Sequence, residues 1–378
     1  MSLAEEDEMI SAIFVAPSGS LLPSGGGVQV CNQEYLRTLK AAGFLVQTVP
    51  FDYDRRLTTR FWSRISPRIT PRRQPPQLAR LVEEAIERNN AQFVFFSLIL
   101  FSKLSCHLGR RYPTVHQVFL SHGVESIDFC ISQQIRRRAG LKDRLKPPAG
   151  RMLGEELLEE AEQRRCIDAV LTLSPLEVEM ERWLGTKAVG WVPRTIVEPK
   201  LDFRPVNGRV GCVSTLDHPP NLDGLTRLFE ELAGTDDRTL RFRLVGRPSE
   251  TGRRLAQIFP FVEYVGALDD DALRLEAVTW CCFVHPFFVY AKGCSTKLAA
   301  GLGWGLPIAT TEYGARGYQW DASVLPLART PAELALAVIE RSRGERFQSF
   351  QQQTLGIVAQ TPSLETVAQK VRQFLLDI

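Results

Sequence analysis

The chain has 378 residues, longer than one ordinary hydrophobic core and enough for two domains. A hydrophobic fraction of 44% beside 24% charged residues is ordinary for a soluble globular protein, and a formal net charge of +3 is too small to imply nucleic-acid binding by itself. No apolar run reaches the roughly 18 residues that a membrane span needs, and the opening MSLAEEDEM lacks the basic and apolar regions of a signal peptide.

The first predicted element is the strand ISAIFVAP. It leads into LLPSGGGVQVCNQEYLRTLKAAGF, where Gly25, Gly26 and Gly27 precede a helix predicted over 27–42 with Val28, Cys31, Tyr35 and Leu39 on one face. Three glycines are entropically costly there. They are either a plain loop tip or a backbone that must approach something closely, such as an anion at a helix N-terminus. The strand FLVQTVPF follows. Asp54 to Arg73 then carries seven arginines. Arg56, Arg60 and Arg64 share one helical face, Leu57, Phe61 and Ile65 another, and Trp62 lies beside them. This segment reads as a solvated loop or as a basic amphipathic helix for an anionic membrane surface or an acceptor. It lacks the sheet aromatics of an RNA-binding fold.

A helix over 77–89, strand AQFVFFS, a helix over 100–111 and strand TVHQVFLS come next. After a polar insertion that holds the basic run QQIRRRAGLKDRLKPP, a helix over 152–166, strand DAVLTLS, a helix over 175–184 and strand KAVGWVP complete the first half. The period lapses over 193–208, in PRTIVEPKLDFRPVNG, which reads as a linker. Strands RVGCVST, TLRFRLVG, FVEYVG, TWCCFVHP and LPIATT then alternate with helices near 220–233, 249–257, 270–277 and 296–304, and terminal helices follow at 331–343 and 363–377.

Such alternation predicts an α/β protein: two tandem doubly wound, Rossmann-like parallel-sheet domains facing across a cleft. The domains are expected at 1–195 and 196–362, with the C-terminal helix 363–378 a candidate to pack back on the first. Ligands are expected at the carboxyl ends of the strands. Among eight cysteines there is no CxxC pair. Cys31, Cys130, Cys166, Cys212, Cys281 and Cys282 read as small core residues in a reducing cytosol, with no zinc site.

Four segments of the second half, in order, are STLDHPPNLDGL, LVGRP, VEYVGALDDDALRLEA and CCFVHPFFVYAKGCSTKLAAGLGWGLPIATTEYGARGY. Together they resemble the donor-binding domain of GT-B glycosyltransferases, in the "glycosyl transferases group 1" superfamily. The resemblance covers about residues 165–320 and extends more weakly to the glycine loop and LSHGVES. It implies a nucleoside-diphosphate-sugar donor, whose departing diphosphate needs backbone N–H groups, helix dipoles and cations. In KGCSTKL, Gly293, Cys294, Ser295 and Thr296 would offer N–H groups and Lys297 a point charge; the plainer reading is a helix N-cap by Ser295. Arg247 is a candidate near the diphosphate or a solvated loop residue. Gly25, Gly26 and Gly27 match the turn that lies against donor and acceptor.

His122 in VFLSHGVES resembles the histidine that lines the sugar site, as a hydrogen-bonding group or a base, with Glu125 and Asp128 to orient or replace it. The chain also departs from the pattern. The two acidic positions of the family's E-x7-E segment fall on Lys292 and Ala300, and Thr215 and Asn221 stand near the place of an expected Arg and Lys.

The resemblance thus implies a glycosyltransferase that moves a sugar to a glycan or lipid-linked acceptor, with the donor bound by the second domain and the acceptor by the first. No metal or other cofactor is expected, the DDD at Asp269 to Asp271 reading as a helix start. The location expected is cytoplasmic, with the inner membrane face as a candidate surface. The alternatives are a non-catalytic nucleotide- or sugar-binding relative and an epimerase of the same fold.

Overall fold

The structure is a computed structural model and describes residues 9–23, 25–53, 74–138, 140, 149–197, 200–235 and 237–378. The arginine-rich segment with Arg56, Arg60, Phe61, Trp62 and Arg64 lies outside the described residues. The chain divides into two compact units, one formed by Met1–Cys130, Asp143–Pro193 and Pro362–Ile378, the other by Ile131–Lys142 and Arg194–Thr361.

The first unit is built on six parallel strands, β1 (Ile10–Pro17), β2 (Phe44–Phe51), β3 (Phe93–Ser97), β4 (His116–Leu120), β5 (Ala169–Thr172) and β6 (Ala188–Trp191), in the order β2-β1-β3-β4-β5-β6. The helices of this half are α1 (Gly27–Ala41), α2 (Leu78–Asn89), α3 (Ser102–Arg111), α4 (Glu125–Arg138), α5 (Ala149–Arg164) and α6 (Pro175–Trp183). β1 and β3 are apolar almost throughout because helices cover both faces of the sheet, and every residue of β3 is buried. At the edge, β2 has only Phe44, Val49 and Phe51 buried.

The second unit holds β7 (Arg209–Thr215), β8 (Arg241–Arg247), β9 (Val262–Gly266), β10 (Cys282–His285) and β11 (Ile308–Thr310), all parallel, in the order β11-β10-β7-β8-β9. Its helices are α7 (Pro219–Ala233), α8 (Ser249–Ile258), α9 (Asp270–Ala277), α10 (Thr296–Trp304), α11 (Pro331–Ser342) and α12 (Phe347–Val358). Asp269 caps α9 by accepting from the Ala272 N–H, at 2.8 Å. The last helix, α13 (Leu364–Leu376), belongs to the first unit, where Arg372 donates to the Ala42 carbonyl at 2.8 Å.

Two helices depart from the sequence reading. α4 occupies the expected polar insertion; its three closing arginines and its mostly half-buried surface blur the apolar period. α12 was not foreseen because three successive glutamines interrupt it, although Phe347, Phe350, Thr354 and Ile357 form a buried stripe. The cysteine reading also needs one correction. Cys166, expected as a free core thiol, is joined to Cys106 of α3 in a disulfide, with Cα atoms 5.0 Å apart. A separation of 60 residues carries no motif, and packing of α3 beside α5 decides the pairing. Cys31, Cys212, Cys281 and Cys282 are buried in the cores.

Candidate functional site

In an open parallel sheet, a crevice forms where neighbouring strands lead their connections to opposite sides. In the first unit the strand order reverses between β1 and β3. At their carboxyl ends stands a run of polar side chains. The Ser20 hydroxyl donates to the Pro17 carbonyl at 2.7 Å. Asn32 of α1, wholly buried, donates through Nδ2 to the Ser20 carbonyl at 3.0 Å and to the Ser20 hydroxyl at 2.8 Å. The Ser97 hydroxyl donates to Asn32 Oδ1 and lies 3.0 Å from His122 Nε2. His122 is half-buried, with its ring 5.8 Å from that of Tyr35.

The loop that carries His122 is held on both flanks. Ser121 donates to Glu181 Oε1 at 3.1 Å and accepts from the Gly123 N–H at 3.2 Å. Glu181 in turn is gripped by Arg164 through bonds of 2.7 and 2.9 Å, and both side chains are almost fully buried. Glu160 Oε1 accepts from the Glu125 and Ser126 N–H groups at 2.9 and 3.3 Å, so it caps α4. Burial pushes the Glu160 carboxyl above its ordinary range, with Arg164 and the capping bonds pulling the other way. The Ser126 hydroxyl lies beside it, yet Glu160 Oε2 completes no hydrogen bond among the described residues. Glu125 and Asp128 occupy the first turn of α4, both half-buried.

Gly25, Gly26 and Gly27 are exposed at the start of α1. Gly26 is the N-cap with φ −81° and ψ −172°, and no side chain caps the helix. Only Gly25, at φ +150°, needs glycine for its backbone. Among the described residues a methyl group on Gly26 would meet only Gln29 Oε1, at 3.6 Å.

In the second unit the order reverses between β7 and β10. Here Lys297, in the first turn of α10, is half-buried and has no hydrogen-bond or ion-pair partner among the described residues. Burial lowers its pKa from 10.5 to about 8; Cys212 opposes that shift and Arg316 adds to it. Burial pushes the Cys212 thiol up to about 12, against the pull of Lys297, so the thiol is neutral near pH 7 and offers Lys297 no counter-ion. His285 at the end of β10 is 1% exposed, and its Nε2 has no hydrogen-bond partner among the described residues. Burial first, then Lys297 and Arg316, hold it well below the usual histidine range, hence neutral.

Arg316 donates to the Tyr313 carbonyl at 2.8 Å and the Lys292 carbonyl at 3.3 Å, over the Phe287 ring at 5.1 Å. Gly314 lets the chain after β11 lie close against the ends of β10 and β11, since a Cβ there would come within 2.2 Å of Thr310 Oγ1 and 3.1 Å of the His285 carbonyl.

Ser295 caps α10 by accepting from the Leu298 N–H at 3.3 Å, and its carbonyl accepts from the Tyr318 hydroxyl. Gly293 has φ +67°, the buried Cys294 carbonyl accepts from Arg194 at 3.3 Å, and Thr296 opens the helix. Arg247 is exposed at the end of β8. Ala300 is half-buried and packs against the apolar cluster around Phe283, Leu298 and Leu302. Asn221 donates to the Thr215 carbonyl at 2.7 Å and closes the end of β7.

The structure therefore gathers Gly25, Gly26, Gly27 and His122 on one sheet edge, and Gly293, Cys294, Ser295, Thr296 and Lys297 on another. Sequence reasoning missed Asn32, Ser97, His285 and Arg316. Asn32 had a signal, being a polar residue four places after Val28 on the apolar stripe of α1. Arg316 lay inside a quoted segment but carries no spacing rule.

No protein-family profile matches the chain, and no curated protein matches its sequence. Its fold has clear counterparts among solved structures. The Anabaena HepE structure in complex with UDP and glucose matches at TM-score 0.60 and 14% identity, over 98% of this chain and 100% of that one. The lipopolysaccharide outer core galactosyltransferase WaaB matches at TM-score 0.56 and 10% identity, over 98% and 100%. TarM from S. aureus matches at TM-score 0.56 and 12% identity, over 79% of this chain; the chain spans 58% of its length. Two parallel α/β units with these counterparts define the fold as that of the GT-B glycosyltransferases.

Proposed function

We propose that this chain is a glycosyltransferase that takes a sugar from a nucleoside-diphosphate donor and delivers it to a glycan or lipid-linked acceptor. The observation that carries this reading is the cationic cluster at the β7/β10 reversal. There a lysine without a counter-ion, an arginine fixed over Phe287 and a neutral histidine with an unused ring nitrogen converge. An uncompensated half-buried ammonium is costly, and an anionic ligand relieves that cost. The UDP complex of HepE supports the choice of a nucleoside diphosphate.

In this reading Lys297 and Arg316 meet the diphosphate, and the start of α10 adds its dipole as charge builds on the leaving group. Lys297→Met keeps the buried stem and removes the charge. It should weaken nucleoside-diphosphate binding by about 1.5–3 kcal/mol, the range for charge-assisted hydrogen bonds. A thermal-shift panel of nucleoside-diphosphate sugars, followed by calorimetry on both proteins, tests it. Equal affinity in the two proteins would remove Lys297 from the site, and no stabilisation by any donor would remove the reading. Binding without turnover would leave the non-catalytic alternative.

A further inference from the structure

The first unit holds a cavity of about 60 Å3 that shares Gly123 and Glu125 with the loop after His122. Its lining is of two kinds: apolar, with Phe101 and Phe119 buried, and acidic, with Glu125 on α4 and Glu159 and Glu160 on α5. Carboxylates in a row are by themselves only a solvated face. Glu160 is different, being 4% exposed. Its Oε1 accepts from the Glu125 and Ser126 N–H groups, which leaves Oε2 as the oxygen available to the cavity, and Oε2 has no hydrogen-bond partner among the described residues. Arg164 does not supply one. Its Nε and Nη2 donate to Glu181 at 2.7 and 2.9 Å, and its Nη1 donates to Gln163 at 3.1 Å. Within this group Arg164 therefore faces both Glu160 and Glu181, and a negative charge is left over when Glu160 is ionised. Burial favours the neutral form of Glu160 against the pull of Arg164, and a cation in the cavity would restore the charged form.

We propose that this cavity binds the ammonium group of a primary amine and, resting on the reading that the first unit holds the acceptor, that the acceptor carries that amine. A single water needs about 10–15 Å3, so the space admits an ammonium group with its first carbons but not a whole sugar ring. Other cations fit less well. No group of three or more His, Cys, Asp or Glu among the described residues is arranged to hold a metal ion. A guanidinium asks for two oxygens side by side, and Glu160 Oε1 is already taken. An ammonium is a compact charge on a carbon stem: Oε2 accepts one of its hydrogens, and the apolar lining suits the carbon. The amino group of a glycan's amino sugar and the ethanolamine headgroup of a lipid both present this chemistry.

The test is calorimetric titration of the full chain with n-butylamine, ethanolamine and glucosamine, each beside a neutral counterpart: n-butanol, ethylene glycol and N-acetylglucosamine. The amines should bind roughly tenfold or more tightly, because a charge-assisted hydrogen bond is the stronger kind. In Glu160→Gln, which keeps an acceptor for the start of α4, the difference should vanish. Tighter binding of glucosamine than of ethanolamine supports the inference with a glycan acceptor, and the reverse order supports it with a lipid headgroup. Equal binding of n-butylamine and n-butanol by the wild-type protein would overturn it without any variant having to fold, since a cavity that only holds water does not distinguish charge. So would a preference for amines that survives in folded Glu160→Gln, which would place the amine on carboxylates elsewhere. The titration needs no sugar donor. Amine binding by a protein that transfers no sugar would sink the glycosyltransferase reading and leave the site standing, whereas sugar transfer confined to acceptors without an amine would do the opposite.

Discussion

Gly26 separates two meanings of a glycine run. Its φ of −81° is open to any residue, and among the described residues only Gln29 stands within 4 Å of a side chain placed there. Gly26→Val should therefore shift the melting temperature by no more than a few degrees. If donor or acceptor fills that space, transfer should fall by orders of magnitude on the same preparation; near-normal turnover would reduce the loop to a turn.

Lys297 gives a pH signature. Burial depresses its pKa to about 8, and only the ammonium attracts a diphosphate. Donor affinity should be level below about pH 7 and fall as pH rises through 8, approaching tenfold per unit, the limit for loss of one proton. Stability runs the opposite way: the unfolded chain keeps that proton up to about pH 10.5, so this group's contribution to stability rises with pH between about 8 and 10.5. Calorimetry against a nucleoside-diphosphate sugar checks the binding limb, with Lys297→Met flat across it. The lysine was legible in GCSTKL. Its depressed pKa was not, because burial acts there together with Cys212, 85 positions earlier (297 − 212), and Arg316, which no local spacing relates to it.

At the scale of elements, the strands were the most readable part. ISAIFVAP, FLVQTVPF and RVGCVST coincide with β1, β2 and β7, since parallel strands announce themselves as short, bounded, mostly apolar runs, even at the sheet edge where β2 is only partly buried. The helices that failed to announce themselves, α4 and α12, carry polar or arginine-rich stretches whose burial is settled by partners distant in sequence. The same holds for the supports of the His122 loop. Arg164 on α5 and Glu181 on α6 form a buried pair, and Glu181 also takes the Ser121 hydrogen bond. Arg164→Met leaves a buried carboxylate without its cation and should cost about 3–5 kcal/mol in denaturant unfolding. A loss under about 1 kcal/mol would show that the pair holds nothing that matters to the loop.

At the scale of the whole molecule, fold and function rest on different evidence. Two parallel sheets with reversals at β1/β3 and β7/β10 follow from alternating strands and helices, and the positions of the reversals say where each unit presents polar groups. Fold alone does not name an activity, since one architecture hosts many. In the proposed reading the activity is carried by the side chains at those two edges: the relay that ends at His122, and Lys297 with Arg316. The most direct measurement is release of nucleoside diphosphate from a panel of donor sugars, with and without a panel of glycan and lipid-linked acceptors, in wild type and in Lys297→Met. The account predicts release that requires an acceptor, forms a glycosylated product and falls sharply in Lys297→Met. Absence of release across the panel despite tight donor binding, or release indifferent to Lys297, would contradict it.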